Sequence, residues 1–188
     1  MNLTINSITI NQTRLELTQG DIAQQSTEAI VNPAPPAGAE HGAVFDVIQR
    51  AGGPQIQEEY RRIGGCPMGQ VVITSGGNLP ARHVIHVVGP DYNDGASNEA
   101  EMLAAVYRNC LQVAVENKLK SIAFPSISTG VRDYPVEKAA PVALGAVLDF
   151  LKNETHDLEL VRFVLFHISG QTYSAYGVAL RDQLLGEA

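Results

Sequence analysis

The sequence predicts a layered α/β domain. Short apolar runs alternate with segments of helical periodicity, and several of those runs are unbroken Val, Ile and Phe blocks, as expected of strands covered on both faces. The length, 188 residues, suits one domain spanning 1–188 with room for a real core.

Taken in order, strands are expected over 4–10, 14–18, 29–32, 71–75, 83–88, 122–125 and 162–166. Helices are expected over 44–51, 54–63, 98–117, 135–152 and 173–185. In the third helix Leu103, Val106, Cys110 and Ala114 share one stripe, and Asn98 with Glu101 has the spacing of a capping box. In the fourth, Val136, Ala140, Ala143, Val147 and Leu151 line one face, Pro135 suits a first helical position, and Pro141 should kink the helix. The last carries Tyr173, Gly177, Leu180 and Leu184 at similar spacing. The Pro- and Gly-rich run 33–42 is the one long irregular loop inside the pattern, and its place after a central strand makes it a binding-loop candidate.

Composition narrows the function. Hydrophobic residues make up 45% and charged residues 18%, which excludes a disordered tail or a coiled coil. The formal net charge is −7, with 13 Lys and Arg and no basic run, so broad electrostatic binding to nucleic acid is not expected. Any anionic ligand must then be held by backbone dipoles. Cys66 and Cys110 have no CxxC context and read as ordinary reduced thiols. No signal peptide or membrane span is expected, which points to a cytoplasmic protein with no membrane partner.

Three loops could do chemistry. At 121–135 an apolar strand breaks into the small residues Ser128, Thr129 and Gly130 before Pro135, which leaves backbone N–H groups ready for a phosphate. Asp21, after Gly20, can accept a bond from an exocyclic amine, as adenine would offer, or can simply cap a turn. Asn32 ends a strand and can aim its amide at ligand hydroxyls or at its own loop, while Gly42, Ala43 and Val44 open the next helix and could meet a phosphate or a distal ribose. No GxGxxG, GxxxxGK[ST] or GxSxG pattern occurs, so no dinucleotide cofactor, Walker loop or serine nucleophile is expected. Metal-ligand spacing is also missing, so no metal is expected. His83 and His86 lie in a strand-like run and read as structural, which leaves His41 as the histidine with a possible functional role.

Taken together, the ordered segments 19–22, 29–32, 50–53, 69–74, 78–81, 84–90, 107–111 and 121–135 resemble the macrodomains, a family that binds ADP-ribose. The resemblance covers nearly the whole chain. It implies a three-layer α/β/α sandwich around a mixed sheet. It also implies that Asp21, with the backbone of Ile22, reads the adenine amine. Gly42, Ala43 and Val44 would form a first diphosphate loop. Ser128, Thr129, Gly130, Val131 and Arg132 would form a second, with Asn32 near the distal ribose. Phe166, Tyr173 and Tyr176 are the candidates for an aromatic packed on adenine.

Members of that family that remove ADP-ribose or acyl groups carry a second asparagine, a glycine run, an aspartate and a histidine. Here Pro35 stands at the asparagine, 40–43 replace the glycine run, Phe45 takes the aspartate position and Gln49 that of the histidine. Asp46 is one residue further along the helix and points roughly 100° away. The expectation is therefore a protein that binds ADP-ribose, or an ADP-ribosylated protein, with weak or no hydrolase activity. Two alternatives stand. One is a hydrolase of ADP-ribose adducts that uses non-standard groups, with Asn32, His41 and Asp133 as catalytic candidates. The other is the same fold with a changed nucleotide ligand.

Overall fold

In the computed structural model, residues 6–36, 41–96, 98–166 and 170–186 are described. Seven strands form one sheet: β1 (Ser7–Ile10), β2 (Thr13–Thr18), β3 (Ala29–Pro33), β4 (Val71–Ser75), β5 (His83–Val87), β6 (Ser121–Phe124) and β7 (Leu160–Val164). The spatial order is β1-β2-β7-β6-β3-β5-β4. Five central strands, β2 to β5 in that order, run parallel, and the two edge strands β1 and β4 pair antiparallel to their neighbours. The sheet is therefore mixed.

Five α-helices cover it: α1 (Ala43–Gly52), α2 (Pro54–Ile63), α3 (Glu99–Glu116), α4 (Val136–Asn153) and α5 (Gln171–Gly186). Alternate strand residues serve opposite layers. Val31, Phe124 and Phe163 pack in one core with Leu103 of α3, Val147 of α4 and Leu180 of α5. Ile30, Ala123 and Val164 pack in a second core with Ile48 of α1 and Ile56 of α2. Both faces are buried, which is why the central strands read as continuous apolar blocks. The expected stripes on α3 and α4 are the ones that face the sheet, with Leu103, Val106, Cys110, Ala114, Ala140, Ala143, Val147 and Leu151 all buried.

Three local expectations change. Asn98 and Glu101 do meet, but side chain to side chain, Nδ2 to Oε2 at 2.8 Å, and Asn98 makes no side-chain bond to the helix backbone. Pro141 is the sixth residue of an unbroken α4, where the carbonyl left without a partner belongs to the first turn. β7 starts two residues earlier than expected and ends at Val164, because its register against β2 and β6 begins at Leu160. Phe166 therefore leaves the sheet. Residues 4 and 5 of the first expected strand lie outside the described residues. Among the described residues no helix is long and apolar enough to cross a membrane.

The topology creates a crevice. Neighbouring strands β3 and β6 run parallel, yet β3 leads to α1 on one face and β6 leads to α4 on the other. Chains that depart to opposite faces leave a gap at the carboxyl ends of the strands, where open α/β sheets bind ligands.

Candidate functional site

A cavity of about 500 Å³ occupies that gap. Its walls come from segments that follow four parallel strands. Asp21 and Ile22 follow β2, and Pro33, Ala34, Pro35 and residues 42–45 lie at or after the end of β3. Pro125, Ser126 and residues 128–132 follow β6, while Val164 and Phe166 lie at or after the end of β7. The two loops expected to hold phosphate face one another closely. A Cβ placed on Gly42 would lie 3.8 Å from Val131 Cγ2.

Neither loop consumes its own amides. In α1 the N-cap is Gly42, with no side-chain cap, and the first intrahelical bond runs from Asp46 N to Gly42 O. The N–H groups of Ala43 and Val44 donate to no acceptor among the described residues. Between Ile127 and Asp133 the same holds for the N–H groups of Ser128, Thr129, Gly130, Val131 and Arg132. Unpaired backbone donors at a helix start and in a tight loop form an anion-binding concavity.

The second loop is braced from both ends. At its start Tyr107 Oη accepts from Ile127 N at 3.0 Å and reaches Pro125 O at 3.3 Å, and Tyr176 Oη donates to Ser126 Oγ at 3.0 Å. At its far end Tyr134 N bonds Ser128 O, Tyr92 N bonds Arg132 O, and the Arg132 guanidinium pairs with Asp91. Ser128 adopts φ +67°, a left-handed conformation that costs a non-glycine residue about 1–2 kcal/mol, and its buried Oγ lacks a protein partner among the described residues. Gly89 makes room for it, since a Cβ there would fall 2.4 Å from that Oγ.

Asp21 caps a turn and still reaches the cavity. Its Oδ1 accepts from Ala23 N at 2.8 Å as the N-cap of a short 3₁₀ turn, Ile22–Gln24. Its Oδ2 takes no bond among the described residues, and neither does Ile22 N.

Asn32, the penultimate residue of β3, is fully buried and does not itself line the cavity, although the next residue, Pro33, does. Its Nδ2 lies 3.0 Å from His86 Nδ1, and its Oδ1 is buried with no partner among the described residues. Leaving such an acceptor unpaired costs about 1–3 kcal/mol. His86 is the structural histidine expected, fully buried, with Nε2 2.9 Å from Thr74 Oγ1 and its ring 4.7 Å from that of Tyr60. Burial pushes its pKa down to about 3, so it is neutral.

The aromatic candidates separate clearly. Phe166 lines the cavity and is 67% exposed, whereas Tyr176 is fully buried and Tyr173 packs against the main core. His41 and Asp133 do not line the cavity: His41 pairs with Asp46 at 3.5 Å and stacks on Phe45, and Asp133 is exposed. The substituted positions are ordered differently from one another. Phe45 leans on Ala34, Cys66 and Val88 while still touching the cavity, and Gln49 is buried with an unpartnered Oε1. The part of the 33–42 loop at 37–40, including Glu40, lies outside the described residues. Val47, Val164 and Thr172 also line the cavity, and the sequence carried no signal for them because they are ordinary apolar or small residues.

A family model described as Macro domain matches residues 31–143. A macro domain-containing protein of Caldanaerobacter subterraneus is 44% identical over 173 residues, covering 90% of this chain and 97% of that protein. A protein of Escherichia fergusonii named O-acetyl-ADP-ribose deacetylase is 45% identical over 144 residues, covering 74% of this chain and 81% of its own. Among solved structures, the Oceanobacillus iheyensis macrodomain with ADP superposes at a TM-score of 0.86 with 40% identity, covering 97% of each chain. With the mixed seven-stranded sheet, the helices on both faces and the crevice between β3 and β6, these similarities place the chain in the macro domain family.

Proposed function

We propose that this chain, acting as one domain, binds ADP-ribose or a close derivative and serves as a reader with weak or no hydrolase activity. The observation that carries this reading is the pair of facing loops whose amides are unpaired. On a protein of net charge −7 with Arg132 already held by Asp91, a diphosphate would be met by the amides of Ala43, Val44 and 128–132 and by the positive end of α1. Asp21 Oδ2 and Ile22 N offer an acceptor and a donor to the adenine edge, and Phe166 offers a face for the ring. Asn32, next in the chain to the cavity-lining Pro33, would lie near the distal ribose. Support also comes from relatives of similar length, one solved with ADP and a variant of the same macrodomain solved with ADPR.

Removal of a group from the distal ribose needs a side chain that positions or deprotonates water. Pro35 and Phe45 can do neither, and Gln49 is not a base. Calorimetry should give ADP-ribose at least tenfold tighter binding than AMP, and O-acetyl-ADP-ribose should turn over no faster than without protein. Equal affinity for ADP-ribose and AMP would mean that the distal end of the cavity is lost. Asp21→Ala should weaken ADP-ribose and AMP alike by about tenfold, one to two hydrogen bonds' worth, and cost about 1 kcal/mol of stability through the lost cap. Unchanged affinity would refute the adenine role.

A second reading, a hydrolase of ADP-ribose adducts, has two supports. Two relatives carry the name O-acetyl-ADP-ribose deacetylase, and the buried acceptors Asn32 Oδ1 and Gln49 Oε1 could each hold a water. Turnover abolished by Asn32→Ala would establish it over the reader.

A further inference from the structure

Two tyrosines, Tyr107 of α3 and Tyr176 of α5, converge beneath the second amide-rich loop. Both are fully buried, and neither lines the cavity. Their rings are wedged in the main core. Tyr107 lies 5.2 Å from Phe124 and 5.8 Å from Phe163, and Tyr176 lies 5.2 Å from Phe163, centroid to centroid. Packing at that density leaves each hydroxyl little freedom to move.

Two bonds at Tyr107 Oη have fixed directions, because each partner can act in one way only. Ile127 N–H donates to it at 3.0 Å, and the Pro125 carbonyl accepts its proton at 3.3 Å. One hydroxyl therefore clamps two successive peptide groups, 125–126 by the C=O and 126–127 by the N–H. The other end of the second group is held as well, since Ser126 O accepts from Thr129 Oγ1 at 3.1 Å. Tyr176 Oη, 3.0 Å from Ser126 Oγ, holds the side chain of the same residue.

Next in the chain come the left-handed Ser128 and the unpaired amides of 128–132. In a planar trans peptide the N–H and the C=O point in opposite directions. Ser128 O is tied to Tyr134 N and Gly130 O to Asp133 N, so the N–H groups of Thr129 and Val131 are turned away from those bonds. The pattern depends on Ser128 at φ +67°, a conformation that serine abandons unless its surroundings enforce it. The clamp at 125–127 fixes how the chain enters it.

We infer that Tyr107, assisted by Tyr176, is a positioning residue for anion recognition: its hydroxyl keeps the second loop in the shape that leaves the amides of 128–132 free for a diphosphate. This rests on the reading of that loop as a diphosphate site and adds how it is kept ready. A loop already in shape loses no affinity to ordering.

The test is Tyr107→Phe, which keeps the ring and removes the hydroxyl, with Tyr176→Phe as the second variant. Calorimetry with ADP-ribose is set beside an NMR titration with adenosine, which carries the base and no phosphate. In Tyr107→Phe the ADP-ribose affinity should fall about tenfold, the scale of one well-made hydrogen bond, while adenosine affinity is unaffected. In the ligand-free variant the backbone amide shifts of 128–132 should move, and those of Ala43 and Val44 should not. Tyr176→Phe should give the same split at smaller size, and it decides the matter should Tyr107→Phe melt below the assay temperature. Unchanged ADP-ribose affinity in the deciding variant would overturn the inference. So would amide shifts of 128–132 that stay in place, or equal losses for both ligands, the signature of a general loosening. Failure of the underlying reading looks different: there the unsubstituted protein itself would bind ADP-ribose no better than adenosine.

Discussion

Gly130→Glu should reduce ADP-ribose affinity by at least 100-fold while leaving the melting temperature within about 2 °C. Gly130 lies at the centre of the unpaired amides 128–132 and lines the cavity. A Cβ there meets nothing within 4 Å, and its φ lies outside the left-handed region, so a side chain is accommodated without strain. The new carboxylate would stand among the donors meant for a diphosphate and repel it. Two unit charges about 4 Å apart at a protein surface interact by roughly 4 kcal/mol, and about 2.7 kcal/mol already corresponds to 100-fold. Calorimetry with ADP-ribose and ADP, beside thermal melts, measures both effects. If the affinity survived, the diphosphate would not sit on this loop. Gly130→Ala is the control and should change little.

Acid should destabilise this protein well before its carboxylates titrate, because of His86. In the folded protein burial holds the ring neutral down to about pH 3, while in the unfolded chain it takes a proton near the ordinary imidazole value of 6.5. Between those two values the unfolded state binds the extra proton. Stability is therefore fully present above about pH 6.5 and falls as the pH drops, by about 1.4 kcal/mol per unit, until the folded ring also protonates. Urea unfolding at pH 7.5, 6.5, 5.5 and 4.5 should show about 2–3 kcal/mol lost between 6.5 and 4.5. An NMR titration of the native protein should leave His86 neutral throughout that range. A flat stability profile, or a His86 ring that protonates near pH 6 without unfolding, would contradict the burial argument.

The two predictions rest on different kinds of group. The diphosphate loop works through backbone, so its affinity is insensitive to most side-chain changes that spare φ and ψ. The acid response works through one buried side chain, the His86 imidazole.

Local patterning made most of the fold legible. The apolar blocks expected at 71–75 and 83–88 appear as β4 and β5, the second one residue shorter, and the stripes on α3 and α4 appear where periodicity put them, because burial on one face or both leaves a period in the residues themselves. The two loops were legible for a related reason: a run of small residues after an apolar strand can do little except turn, and turning exposes amides. What the sequence alone determined was thus the layered α/β class, the helix faces and the two amide-rich corners.

The rest depended on contacts between segments distant in the chain. Phe166, Tyr173 and Tyr176 are equivalent as letters. Only the register that ends β7 at Val164 and the packing of α5 put Phe166 at the cavity and Tyr176 under Ser126. Likewise Phe45 is drawn against Ala34, Cys66 and Val88, and about 500 Å³ stays open beside it. His86 meets Asn32, 54 residues away, because β3 and β5 are neighbours. Strand order decides which residues touch, and strand order is a property of the packed sheet as a whole. Residue patterning determined where this chain turns and what it buries; only the assembled layers decided which acceptor, ring and amides share one cavity.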